Sequence, residues 1–208
     1  MPAYHSVEFL FNQDVIYPNF VEDIYSAFFK NGLEFKSGFW FHKDASLQEI
    51  INWNQRLLEK KFKLGYTQHV KHDYMQLLID TKEFEEMRLY WLYHEKEFGL
   101  SQIIPEDDIV NYGNSLKFHK DKLQVIIDIA KNVWSTGLVT LVQSHLEDGG
   151  GISLSKVLSG HSPSIIPFCI AKNELFDNFS GKLPDRLEIK SVSNSGTLIL
   201  DKTWVMGY

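Results

Sequence analysis

Alternating apolar and polar positions mark the start of the chain. Between Tyr4 and Phe11, Val7 and Phe9 fall on one side of this alternation, and Ser6 and Glu8 fall on the other. Because successive side chains of a strand point to opposite faces, this period of two predicts a half-buried β-strand.

Helical spacing of apolar residues then predicts two helices. The first lies between Pro18 and Gly32, with proline near its start and glycine past its end, as helices prefer. The second begins at Ser46, where Ser46 and Glu49 have the spacing of a capping box. In that motif a hydroxyl and a carboxylate satisfy backbone amides at the first turn.

Three extended segments complete the first half of the chain. They are residues 33–41, 74–80 and 87–93, which are rich in aromatic and branched side chains typical of strands. The order is therefore strand, helix, strand, helix, strand, strand.

Residues 94–114 are more polar and contain Gly99, Pro105 and an acidic run. We expect them to form a polar connector between two lobes, residues 1–100 and 115–208.

The second lobe is predicted to begin with a helix over residues 116–134, closed by Gly137. A short helix is expected at 152–158. Strands are expected at 138–142, 165–171, 187–192, 197–201 and 204–206, the third and fourth forming a hairpin. Pro167 lacks an amide donor, so its strand is predicted to lie at a sheet edge.

The predicted fold class is α+β, with a single domain over residues 1–208. We expect one compact unit of two halves, each a small mixed or antiparallel sheet with helices packed on one face.

Composition supports a folded, soluble protein. Of the 208 residues 44% are hydrophobic and 23% are charged, so disorder is not expected. The net charge of −6 argues against a nucleic-acid partner, and no apolar stretch approaches the roughly 20 residues of a membrane span. The single cysteine, Cys169, excludes an internal disulfide, and the N-terminus lacks signal-peptide features. We expect a cytoplasmic location and no membrane partner.

Short catalytic motifs are incomplete throughout the chain. The glycine loop at 147–151 lacks the Gly-Lys-Ser/Thr ending of a phosphate-binding loop. Ser153 and Lys156 have the serine–lysine spacing without its companion motifs, and residues 160–164 end in serine where a nucleophile elbow needs glycine. We therefore predict no catalytic residue and no cofactor.

Histidines offer two groupings that could bind a metal. His69 and His72 are three residues apart and Asp73 follows, and His145, Glu147 and Asp148 lie together after a strand, where a site could form with His161. His94-Glu95 lacks the second histidine of a zinc-protease helix. A metal site needs three or four converging donors, which this spacing does not establish. No metal ligand is predicted.

Acidic residues cluster in three separate segments, and this is the feature that we interpret functionally. The clustered residues are Glu83, Glu85, Glu86, Glu106, Asp107 and Asp108, followed by Glu147 and Asp148. They are either solvated loops or an acidic face that steers a basic protein partner toward it. Bacterial immunity proteins against basic nuclease toxins use that logic, although no motif of such a family is present.

Two hypotheses of function follow. The first is a non-catalytic protein-binding module, for example an immunity or inhibitor protein with an acidic face. The second is a small hydrolase or transferase with a site in the 145–161 region, built from His145, Glu147, Asp148 and His161, because a polar glycine loop follows a buried strand there. The oligomeric state is not predicted.

Overall fold

A computed structural model describes residues 3–30, 32–63, 70–93, 97–113 and 115–207 of the chain. In these ranges the strands are β1 (Tyr4–Phe11), β2 (Glu34–Gly38), β3 (Leu77–Asp80), β4 (Met87–Tyr93), β5 (Phe98–Pro105), β6 (Val110–Tyr112), β7 (Leu116–Phe118), β8 (Val139–Leu146), β9 (Phe168–Lys172), β10 (Leu187–Val192) and β11 (Gly196–Asp201). The α-helices are α1 (Phe20–Phe29), α2 (Leu47–Glu59), α3 (Glu106–Ile109), α4 (Lys120–Trp134), α5 (Leu154–Leu158) and α6 (Asn173–Phe176). Short 3-10 helices span Gln13–Val15, Trp40–His42, Val70–His72, Ser180–Lys182 and Lys202–Trp204.

One nine-stranded sheet dominates the described residues, in the order β10-β11-β9-β8-β1-β5-β4-β3-β2. Every neighbouring pair in it is antiparallel. β6 and β7 form a separate two-stranded sheet. The mixed helix and strand content of the prediction is thus confirmed.

The expected division into two small sheets is not confirmed, because β1 pairs with β5 on one side and with β8 on the other. β5 lies in the segment predicted to be a polar connector. Its polar residues Ser101 and Gln102 are buried within the sheet, so their polarity does not mark a linker. Gly99 also lies inside this strand, where a Cβ would come within 2.9 Å of the Leu10 side chain.

Several local predictions are confirmed. The bounds of β1 and β4 agree with the sequence pattern, and β10 and β11 form the expected hairpin. The capping box at α2 is present: Ser46 Oγ accepts a hydrogen bond from the Glu49 amide, and Glu49 Oε2 accepts one from the Ser46 amide at 2.8 Å.

Other local predictions are wrong. β9 lies between β8 and β11 and not at an edge, because Pro167 precedes the strand and its missing amide removes no bond from the ladder. The helix predicted from residue 116 begins at Lys120, and the residues before it form β7. The strand expected at 204–206 is replaced by the Lys202–Trp204 turn of 3-10 helix and a single bridge from Val205 to Phe118.

The helices cover the two faces of the sheet unequally. On the first face, α1, α2 and α4 pack over the main core, where Phe9 meets Phe28 edge to face at a ring distance of 5.2 Å. On the second face, α5 and α6 cover a smaller cluster around β8, β9 and β11. Its buried members are Leu10, Leu141, Leu154, Val157, Cys169, Ala171, Leu175, Phe179 and Ile199.

The second face is more open over β4 and β3. Leu92 is 37% exposed there, and Tyr90 and Leu78 are half-buried. The covered and open parts of this face therefore meet along β1 and β5. Within the described ranges, no helix combines the length and the apolar character that crossing a bilayer requires.

Buried polar side chains connect the helices to the sheet. The Tyr25 hydroxyl accepts hydrogen bonds from Asn54 Nδ2 at 3.0 Å and from Trp91 Nε1 at 2.9 Å. The Asn54 side chain also bonds both the amide and the carbonyl of Met75. α1, α2, β4 and the segment before β3 thus share one network in the core.

Replacing Asn54 with alanine should destabilise the protein strongly. We expect Asn54→Ala to lower the free energy of unfolding by about 2–4 kcal/mol, since each buried group left without a partner costs about 1–3 kcal/mol. Asn52→Ala, on the exposed side of the same helix, is the matched control and should cost well under half as much. Denaturant unfolding of both variants measures the difference, and equal losses would contradict a special role for the network.

Candidate functional site

The three acidic segments of the sequence lie next to one another at one end of the sheet. The amide of Glu85, before β4, donates to Asp108 Oδ2 in α3 at 2.8 Å. The amide of Glu147, after β8, donates to Glu106 Oε1 at 3.2 Å. We call the combined region the acidic surface, and it comprises Glu83, Glu85, Glu86, Glu106, Asp107, Asp108, Glu147 and Asp148.

Several of these side chains have structural partners. Glu106 is buried and accepts a hydrogen bond from the Tyr112 hydroxyl. Burial, together with the nearby carboxylates of the acidic surface, raises the pKa of Tyr112. Glu86 pairs with Arg88 at 2.8 Å, and Glu83 accepts a bond from the Thr81 hydroxyl at 2.8 Å.

The side chains best placed for contact with a partner are those exposed to solvent. Glu85, Asp107, Glu147 and Asp148 are all exposed. A nearby cation, Lys122, donates to the Asp108 carbonyl and partly offsets the charge on the side of α4. Exposed carboxylates and this cation thus lie together on the acidic surface.

Two exposed aromatic residues follow β2, the edge strand of the sheet. Trp40 and Phe41 are 63% and 49% exposed and stack on each other with ring centroids 4.7 Å apart. Trp40 has a φ of +56°, which an L-residue with a large side chain rarely adopts. Such outliers are retained where the surrounding structure imposes them and are common at functional sites.

A chain of contacts connects Phe39, the residue before this aromatic pair, to the acidic surface. The Arg88 guanidinium lies over the rings of Phe39 and Tyr4, at 4.3 Å and 4.6 Å from their centroids. The Tyr4 amide donates to Glu147 Oε2 at 3.1 Å. The residue that precedes Trp40 is thus in contact with the residues that support the acidic surface.

The residues of the alternative site are placed differently from one another. His145 is buried on β8, Glu147 and Asp148 are exposed in the following turn, and His161 is exposed after α5. The His161 ring bonds locally, with its Nδ1 3.1 Å from the Lys156 carbonyl. Among the contacts of the described residues, none joins His161 to the other three.

No grouping of three or more His, Cys, Asp or Glu within the described part of the chain could hold a metal ion. Three residues discussed from the sequence, His69, His94 and Glu95, lie outside the described residues.

His145 has a different partner, which the sequence did not indicate. Its Nε2 is 3.3 Å from Glu8 Oε1 on the neighbouring strand β1, and its Nδ1 is 3.0 Å from the Leu146 carbonyl. Burial of the ring acts to lower its pKa. The Glu8 carboxylate and the Leu146 carbonyl outweigh burial, so the pKa of His145 is raised above its ordinary value.

Glu8 also faces a cleft on the second face of the sheet. This cleft has a volume of about 330 Å³ and lies where the covered and open parts of that face meet. The described residues that line it are Glu8, Leu10, Leu92, Glu97, Gly99, Ser101, Gln143, Gly151, Ile152 and Ser153. Sequence reasoning placed Glu8 on the polar side of a half-buried strand and did not single out Glu97 or Gln143.

One wall of the cleft is the loop before α5, and Gln143 holds it against the sheet. Gln143 Nε2 donates to Glu8 Oε2 at 2.8 Å and to the Ile152 carbonyl at 2.9 Å. Its Oε1 accepts from the Ile152 amide at 3.0 Å. Gly151 lies so close to Glu8 that a Cβ would be 2.1 Å from Oε2, which explains a glycine there.

Comparison with known proteins does not assign the chain: no family model matches it, and no curated protein matches it.

The Glu8–His145 pair should make stability depend on pH. A raised pKa in the folded state contributes stability that is full below the unfolded value of about 6.5 and is lost as the pH rises through the folded value. Glu8→Gln should therefore lower the pKa of His145 and destabilise the protein more in mildly acidic than in alkaline solution. NMR titration of the ring and unfolding at several pH values measure both effects. Glu22→Gln on α1 is the control, and an unchanged His145 titration in Glu8→Gln would contradict the pairing.

Proposed function

We propose that this chain is a non-catalytic protein-binding module that binds a basic protein partner through its acidic surface, as an immunity or inhibitor protein would. The observation that carries this proposal is the meeting of three acidic segments, distant in sequence, at one end of the sheet. The exposed carboxylates Glu85, Asp107, Glu147 and Asp148 thus lie on one surface.

Electrostatics explains how such a surface would act. Carboxylates concentrated on one side attract a positively charged protein and raise its rate of association, and they repel acidic competitors. The exposed Trp40 and Phe41 supply apolar area that is linked to that charge through Phe39 and Arg88, and tryptophan is enriched among the residues that dominate binding energies. A charged surface together with exposed aromatic residues fits a protein interface.

The proposal includes a cytoplasmic location. Cys169 is buried in the second cluster, where burial raises its pKa and keeps the thiol in its unreactive protonated form. A lone buried thiol is compatible with a reducing compartment.

The second candidate is a small hydrolase or transferase in the 145–161 region. One observation favours it, namely that His145 forms an ion pair with Glu8 beside a cleft. We place it second because His145, Glu147, Asp148 and His161 are not joined by contacts, whereas acid–base chemistry needs its groups within hydrogen-bond reach of one substrate.

Charge reversal on the acidic surface tests the first proposal. The variant Glu85→Lys, Asp107→Lys, Asp148→Lys changes three exposed side chains. We expect the immobilised protein to retain basic proteins from a cell extract at about 50 mM salt and to lose most of them at about 200 mM, since salt screens exposed charges. The variant should retain at least tenfold less at low salt, as measured by quantitative mass spectrometry.

The matched control is Asp44→Lys, Asp177→Lys, Asp185→Lys, which changes the net charge equally at exposed positions elsewhere. It should retain the same proteins as the unmodified chain. Equal losses in the two variants would show that only net charge matters, and retention of no basic protein by the unmodified chain would also refute the proposal.

A further inference from the structure

We propose that the cleft on the second face binds a small molecule that carries a primary ammonium or guanidinium group on a short apolar chain. This site goes beyond the proposed protein-binding function and does not depend on it, because it uses other residues.

A row of polar side chains crosses the centre of the sheet beneath the cleft. Glu8 pairs with Ser101 on β5 and with Gln143 on β8, and Ser101 pairs with Tyr90 on β4. Paired residues of antiparallel strands project to the same face, so these four side chains form a continuous row.

The burial of these four polar side chains indicates what kind of ligand the cleft could bind. Ser101 is 2% exposed and Gln143 is 1% exposed, and Tyr90 is half-buried with its hydroxyl bonded to Ser101. Polar groups in the middle of a sheet cost free energy to desolvate, and apolar residues would serve packing better. The adjacent row, through Leu10 and Leu141, is apolar. A polar row under a cavity is what a site for a polar ligand requires.

The charge of the cleft selects the ligand. Glu8 and Glu97 both line it, and its described lining includes no Lys, Arg or His, although the His145 ring lies behind Glu8 with its Nε2 3.3 Å from Oε1. Glu97 Oε2 accepts a hydrogen bond from the Leu154 amide, and Glu8 Oε2 accepts one from Gln143. A carboxylate has about four acceptor positions, so Glu8, with Gln143 on Oε2 and His145 near Oε1, can accept further bonds from a ligand. Ammonium and guanidinium groups are donors without acceptors and match this surplus.

The shape and the apolar lining of the cleft determine which chain the cationic group of the ligand can carry. Leu10, Leu92 and Ile152 supply the apolar part of its lining. Gly99 has no side chain between Leu10 and Leu92 and therefore deepens the floor. The volume of about 330 Å³ lies at the lower end of the range for small-molecule sites, about 300–1,000 Å³. A chain of a few methylene groups fits this combination.

Agmatine, which has a guanidinium and an ammonium group on a four-carbon chain, is the probe for the test. Calorimetric titration should detect binding with a Kd below about 1 mM. In NMR spectra the amides of Gly99, Gly151 and Gln143 should shift. The pKa of His145 should fall in the complex, because a second cation beside Glu8 disfavours the protonated ring. The probe 4-guanidinobutanoate, which has a carboxylate in place of the ammonium group, should bind at least tenfold more weakly.

Two variants separate binding from folding. Glu97→Gln keeps an acceptor for the Leu154 amide and removes the charge, so agmatine should bind about tenfold more weakly. Leu92→Lys places a competing ammonium group at an exposed position of the rim, so it should abolish binding without loss of stability. Glu22→Gln, on the helix-covered first face, should bind as the unmodified chain does.

The results that overturn the proposal are specific. They are equal affinity for the two probes, equal affinity in Glu97→Gln and Glu22→Gln, or amide shifts away from the cleft.

Lysine and arginine side chains of a protein share the proposed chemistry, and the Leu92→Lys variant distinguishes a protein side chain from a free amine. If it loses agmatine but retains basic proteins from the extract, the ligand is a free amine; if it loses both, the cleft receives a partner's side chain. Charge reversal on the acidic surface leaves agmatine binding intact, so the two proposals can fail separately.

Discussion

The pairing of β1 with β5 on one side and β8 on the other is the constraint on which the rest of the structure depends. It joins strands from both halves of the chain in one antiparallel sheet, with hydrogen bonds along nearly the whole of β1. Because both neighbours are antiparallel, paired side chains lie in rows across the sheet. The register of β1 therefore decides which residues meet on each face.

On the first face, that register produces a continuous apolar core. Phe9 and Phe11 meet Phe28 and Phe20 of α1, and Trp91 on β4 bonds to the Tyr25 hydroxyl beneath the helices. Apolar burial of this kind is the main favourable contribution to folding. On the second face the same register places Glu8 between Ser101 and Gln143, where polar groups are buried and must find partners. The cleft forms there because α5 and α6 cover only part of that face.

Carboxylates have two separate uses in the acidic surface. Glu106 and Asp108 accept hydrogen bonds from the amides of Glu147 and Glu85 and so tie together the loops at one end of the sheet. Carboxylate acceptors make stronger hydrogen bonds than neutral ones, which suits them to this task. The neighbouring Asp107 and Asp148 side chains are exposed. Structural use of some acids thus brings the exposed ones together, and the proposed binding surface follows from the way the loops are held.

The sequence by itself determined the local elements: the period of two in β1, the capping box of α2 and the β10–β11 hairpin all follow from neighbouring residues. It also indicated the acidic residues, although not that they adjoin. Only the tertiary structure decided that residues 98–105 form a strand beside β1, that His145 meets Glu8, and that Glu8, Glu97 and Gln143 surround one cleft. The physical reason is that the pairing of β1 with β5 and β8 joins residues far apart in the sequence, such as Phe11 and Phe98, and a polar side chain buried with a partner has the same local pattern as one in solvent.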